Sequence, residues 1–318
     1  MSLTTTFQIG SFRCHTLEAG FQHLDGGAMF GVVPKPLWEK RIAPDARNRI
    51  PLAMRPLLVE HPDGLVLIDN GLGNKEDAKF CDIFGIDNAG TDPGPTRLED
   101  ALKELGYTPD DVKWMIDTHL HFDHAGGNTR TDAQTDGRTT VAGDGPGPAV
   151  RPSDHAPVRL SFPNATYVVQ KGELDYARHT NERTRASYLP HNFEPVDAAG
   201  KWKLIEGDVE ILPGVRSLMM PGHVPYHQAI LVQSGGETAC FLADLIPTVA
   251  HLPLPWIMGY DVEPLRTLES KRTLLQKAAG EGWWIVLEHD AGVSRGRVVK
   301  EEKGYMWTDL TPAIPTHG

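Results

Sequence analysis

The sequence predicts layered α/β or α+β packing on three observations. Short apolar runs of strand length recur along the chain, two amphipathic helices lie between them, and tight-turn residues join neighbouring runs. "PLLVE" and "LVLIDNG" flank His61-Pro62-Asp63-Gly64, a hairpin punctuation. "KWMIDT", "TYVVQ", "VRSLMM", "QAILVQS", "TACFLAD" and "WWIVLEH" follow as strand candidates. Several are apolar throughout, as strands covered on both faces are. Thr96-Arg97-Leu98-Glu99 is a capping box; Ala101, Leu102 and Leu105 then share one face, and Gly106 closes the helix. A second helix opens at Glu263-Pro264, with proline in the first turn, and carries Leu265, Leu268 and Leu275 before Gly280. Residues 129–157, rich in Gly, Pro, Asp and Thr, form an irregular insert of the kind that serves as a functional or mobile loop. The whole of 1–318 otherwise reads as a single domain, without repeat or linker.

Composition narrows the function. A formal charge of −11 argues against a nucleic-acid backbone or an anionic membrane as main partner and leaves a small molecule. "MSLTTTFQIG" has neither the basic nor the apolar region of a secretory signal. No run approaches the roughly 20 apolar residues of a membrane helix. Cys14, Cys81 and Cys240 lie far apart with no CxxC pairing, so free thiols and a cytoplasmic location are the expectation.

"THLHFDHAGG" concentrates His119, His121, Asp123 and His124 directly after an apolar run. At a strand end their side chains can converge, and imidazole and carboxylate are good ligands for zinc. His119 and His121 are spaced to grip one ion while Asp123 and His124 face another, and Ala125-Gly126-Gly127 lets the backbone pack closely where a helix is expected to start. Four residues do not complete two coordination spheres. Three downstream contexts offer the remainder: His223 after Pro-Gly, Asp244 ending "ACFLAD", and His289 ending "WWIVLEH". A carboxylate delivered by an apolar strand is costly unless paired or metal-bound, which makes Asp244 a natural bridge.

HxHxDH, a later histidine after Pro-Gly, a strand-ending aspartate and a final histidine occur in the order that resembles the metallo-β-lactamase superfamily, from about residue 55 to the C-terminal region. "LDGGAMFGVVPKPLW" and the run "ADLIPTVAHLPLP…EHDAGVSRGRVVKEEKGYMW" look most like the branch of methyl parathion hydrolase and related lactonases. The resemblance implies an α+β fold, the αββα four-layer sandwich: two mixed sheets face to face, helices outside, the site at one sheet edge. It implies two divalent ions, zinc first, with manganese, iron or cobalt as substitutes. His119, His121 and His223 would hold one, Asp123, His124 and His289 the other, and Asp244 would bridge them. Asp69 of "LIDNG" would support the histidine loop through hydrogen bonds.

The implied reaction is hydrolysis of a small ester by water activated between the ions. Lactones or aryl esters come first, and organophosphate triesters stand as a side activity. Asp123 would orient the water or take its proton. Two other activities stay open: a glutathione-thioester hydrolase and a mononuclear iron dioxygenase acting on persulfides. A homodimer is also left open.

The chain departs from the family at two positions. Some lactonases carry a tyrosine three residues after the bridging aspartate; here Pro247 stands there, and Tyr188 and Tyr226 are the candidate replacements. Tyr226 also occupies a position that is often glycine, where it would narrow or line the pocket. Met29, Phe30 and Trp38 resemble a pocket-lining loop, and the stiff segment carrying His251, Pro253, Pro255 and Trp256 is expected to form an apolar wall. His155, His179 and His191 read as solvated, and the three cysteines as small buried hydrophobes.

Overall fold

The computed structural model describes residues 2–91, 95–131 and 157–314. Its apolar runs pair into two sheets of seven strands. In spatial order the first holds Thr4–Ile9, Phe12–Leu17, Leu57–His61, Gly64–Ile68, Val112–Ile116, Thr166–Gln170 and Trp202–Ile205. It is antiparallel up to Gly64–Ile68 and parallel beyond. The second holds Glu210–Leu212, Val215–Met219, Gln228–Ser234, Glu237–Phe241, Trp284–Val286, Val293–Glu301 and Gly304–Pro312. Only Glu237–Phe241 and Trp284–Val286 pair in parallel there.

Strand alternation explains why these runs are apolar on both faces. Val66 and Ile68 point between the sheets, towards Ile230, Phe241 and Val286. Leu67 points outward, beneath Leu98 and Leu102 of the helix Arg97–Glu104. Across the molecule Cys240 and Ile285 face outward, under Leu274, Leu275 and Ala278 of the helix Pro264–Glu281. The layers therefore run helix, sheet, sheet, helix, the expected αββα sandwich.

The capping box is present: Thr96 N donates to Glu99 Oε2 at 2.6 Å. The second helix differs from its expectation in two respects. It runs through Gly280 to Glu281 and stops at Gly282, whose φ of 66° is the left-handed conformation that ends helices. Leu265, expected on its apolar face, is 79% exposed, whereas Lys271 takes a core position. The Lys271 ammonium is accommodated because it donates to the carbonyls of His251, Pro253 and Trp256. The insert's flanks are more regular than expected, since Thr129–Thr131 pairs antiparallel with Val158–Leu160. Residues 132–156, His155 among them, lie outside the described residues. No helix among the described residues is long and apolar enough to cross a membrane. Cys14 and Cys240 are buried and Cys81 is half-buried, all three as free thiols.

Candidate metal centre

The strand Val112–Ile116 ends one residue before Asp117, and the motif turns over the sheet edge. Its one helical turn is Phe122–Ala125; no longer helix follows the glycines, which lead through a 3-10 turn into the strand Thr129–Thr131. The glycines act through proximity instead. A Cβ on Gly126 would fall 2.2 Å from Leu72 O, and one on Gly127 2.4 Å from Asn70 O. The histidine loop thus lies directly on the 70–73 backbone.

Asp69 is the joint between these two segments. It adopts a φ of 54°, and its carboxylate accepts from Thr118 N and Thr118 Oγ1, both at 2.7 Å, with His124 Nδ1 at 3.0 Å. Asn128 bridges the same region, donating to Asp117 and accepting from Asn70. The buried Lys75 ammonium donates to the carbonyls of Gly126 and Thr129.

Three other segments deliver the remaining donors. Gly222, with φ of 141° and no room for a Cβ beside Thr267 N, sets His223. Ala243, at φ 45°, turns the chain so that Asp244 enters the site. His289 is fixed by Nδ1 to Ala53 O at 2.7 Å. Its loop hangs on Arg55, which donates to Leu287 O and Asp290 O and is itself paired with buried Glu18 at 2.6 Å.

All seven donor residues are buried, and they meet in two groups. Donor atoms of His119, His121, His223 and Asp244 lie within 4.8 Å of one another, as do those of Asp123, His124 and His289. His223 Nε2 stands 3.1 Å from His121 Nδ1, and His289 Nε2 3.1 Å from His124 Nε2. Asp244 reaches both groups: Oδ2 is 2.9 Å from His223 Nε2 and Oδ1 3.0 Å from His289 Nε2.

These residues fit a pair of cations. Ligands about 2.1 Å from a tetrahedral ion are separated by about 3.4 Å, close to the spacings here. His119 Nε2 is buried without a hydrogen bond, and Asp244 Oδ1 has no partner beyond its 3.0 Å approach to His289 Nε2. Buried polar atoms left in that state are costly unless something else satisfies them. Burial, reinforced by neighbouring imidazoles, holds His119 and His121 well below the usual histidine range, and so in the neutral form a metal requires. For His223 burial acts in the same direction, yet the carboxylates of Asp244 and Asp261 push it up to about 10. That positive charge, demanded by the carboxylates, is what a bound ion would supply.

Behind the donors stand groups that the motif did not announce. His223 Nδ1 meets Asp261 Oδ1 at 2.9 Å, and His124 Nδ1 lies 3.1 Å from Glu288 Oε2 as well as beside Asp69. Gln22 donates its amide to Asp123 Oδ2. Glu288 had a signal in "LEHD", a carboxylate at an otherwise apolar strand end.

His121, Asp123, His223, Asp244 and His289 form the floor of a cavity of about 380 Å³. Of the pocket residues expected from sequence, Met29 lines it. Phe30, Trp38, His251 and Trp256 do not; they stack behind the wall, with Phe30 against His251 at 4.4 Å and Trp38 at 5.1 Å. Tyr188 is buried behind His121, with its hydroxyl on Glu173 at 2.8 Å. Tyr226 covers Gly172 from outside and is 42% exposed. The wall comes instead from Gln22, Leu24 and Leu52 of the early chain, Arg183 and Ser187 after the insert, and Met258, Gly259, Tyr260 and Val262. His179 and His191 are bound to Asp175 O and Glu76, away from the centre.

The two-sheet sandwich with its donors at one edge defines a class of metal-site fold. Residues 56–289 match the metallo-beta-lactamase superfamily, and the chain belongs to it. It is similar to a probable metal-dependent hydrolase from Staphylococcus aureus, with a TM-score of 0.79 and 29% identity, covering 95% of this chain and 99% of that one. It is 29% identical over 190 residues to an N-acyl homoserine lactonase of Bacillus thuringiensis, covering 56% of this chain and only 57% of that protein's length. The lactonase AttM of Rhizobium radiobacter is 27% identical over 258 residues, 75% of this chain and 79% of its own. AidC, a dizinc quorum-quenching lactonase, shares the fold at a TM-score of 0.73 and 21% identity, covering 97% of this chain and 98% of its own.

Proposed function

We propose that this protein is a dinuclear metal-dependent hydrolase of small esters, with lactones as the leading substrates. The observation that carries the reading is Asp244 spanning two complete groups of buried donors on the floor of a cavity. The lactonase relatives support it. His119, His121 and His223 would hold one ion and Asp123, His124 and His289 the other, with Asp244 shared. A bound pair of divalent ions supplies the acidity that makes water nucleophilic near neutral pH and the pull that polarises an ester carbonyl.

The chain's own residues do the remainder. Asp123, held by the Gln22 amide, faces the cavity and orients the attacking water. Leu24, Met29, Leu52, Met258 and Val262 exclude bulk water and accept an apolar acyl chain. A one-iron dioxygenase would leave the Asp123, His124 and His289 group without a purpose.

Metal quantification on the purified protein, followed by a screen of lactones, aryl esters, phosphotriesters and acyl-glutathione, tests the reading. Two equivalents of metal and lactone turnover abolished by chelation are expected. One equivalent of iron with oxygen uptake, or chelator-insensitive hydrolysis, would refute it.

A further inference from the structure

Among the described residues Tyr260 is the only phenol on the cavity wall, and its hydroxyl has no protein hydrogen-bond partner. The turn that carries it is tied down on every side. Gly259 N donates to Ala28 O at 2.8 Å, and Arg183 Nη2 donates to Gly259 O at 2.7 Å. Asp261 N donates to Met258 O at 3.3 Å, Asp261 Oδ1 meets His223 Nδ1 at 2.9 Å, and Val262 N donates to His223 O at 3.1 Å. The same turn therefore positions a donor of the metal centre and an unused phenol. Those bonds fix the backbone on which Tyr260 sits, while the side chain itself stays 39% exposed at the cavity wall. A donor carried on a fixed backbone has less to reorganise when charge develops.

Burial, and then the carboxylates of Asp25 and Asp123, push the phenol up to about 12. It keeps its proton at neutral pH. Such a group gives a hydrogen bond without surrendering the hydrogen.

Building on the hydrolase reading, we propose that Tyr260 is a catalytic residue whose O–H donates a hydrogen bond to the ester carbonyl oxygen as that oxygen gains negative charge. In the full reaction the water oxygen bonds to the carbonyl carbon and the acyl C–O bond breaks. One proton from water goes to the leaving alkoxide, giving acid and alcohol. Tyr260 ends as it began, still protonated.

The experiment compares wild type with Y260F, each loaded with zinc. Removing one such donor should lower kcat by about 10²-fold, with KM and metal content unchanged. The loss should be equal across aryl esters of different leaving groups. Calorimetry should show a similar drop in affinity for a phosphonate monoester, a tetrahedral mimic, while affinity for an unreactive lactam holds. An unchanged kcat, a loss that grows with leaving-group basicity, or a parallel fall in lactam affinity would each overturn the assignment. A wild type that carries its metals but hydrolyses no ester or lactone would overturn the hydrolase reading itself, and this inference with it.

Discussion

The two donor groups are built alike and supported differently. Behind the first group one carboxylate touches a donor, Asp261 on His223; the Thr118 hydroxyl lies 3.1 Å from His119, and buried Glu173 holds Leu120 N between the two motif histidines. Behind the second stand Asp69 and Glu288, both beside His124, and the Glu18–Arg55 pair under the His289 loop. Burial raises Glu288 to about 8, and the nearby Asp69 charge adds to that rise against the pull of His124. The second position thus sets two buried carboxyl groups against one histidine, and holding ionisable groups there is costly unless they are fully paired. It should be the more sensitive to loss of a supporting group.

Four substitutions test this difference, in descending order of effect. Asp244→Ala removes the proposed shared ligand, so both ions and all turnover should go together; a variant that kept two metals would break the bridging assignment. Glu18→Gln leaves the Arg55 guanidinium buried without its counter-charge. A loss of about 3–5 kcal/mol in denaturant-derived stability is expected. Retention of wild-type stability would show that the Arg55 strut does not bear on the His289 loop.

Asp69→Asn and Asp261→Asn separate the two sites. Removing a carboxylate behind a ligating histidine typically costs about 10–100-fold in metal affinity. Competitive titration should show weakening of one ion by each, with the larger loss for Asp69→Asn. Equal losses would erase the asymmetry. The smallest effect lies outside both groups, at His251. Burial, opposed weakly by its bond to Met29 O, pushes its pKa down to about 3. A depressed histidine stabilises the fold fully above pH 6.5 and loses that contribution as pH falls towards 3. Metal-free protein should lose up to about 1.4 kcal/mol per pH unit from this group in that window. His251→Gln should flatten the slope, as read by urea melts.

The strands and the clustered donors were legible because each is announced locally. Apolar runs of five to seven residues buried on both faces can hardly be anything but interior strands, and a histidine motif at such a run's end has few other uses. Asp69 was named through the family resemblance, since an aspartate in a turn carries no distinctive local signal. The pocket was less legible. Phe30, Trp38, His251 and Trp256 have the composition of a wall, yet they stack on one another because aromatic rings bury more area by mutual packing than by facing a cavity. Gln22 and Tyr260 carried no local signal at all.

By itself, the sequence announced the strand pattern, the two helices and the four clustered groups of HxHxDH, since periodicity and motif spacing act over a few residues; His223, Asp244 and His289 were assigned through the family resemblance. Only the tertiary structure decided which carboxylate backs which histidine, how far the helix Pro264–Glu281 runs and which side chains line the cavity. Those outcomes depend on contacts between residues such as Gln22 and Asp123, or Ala28 and Gly259, that come together only when the sheets close.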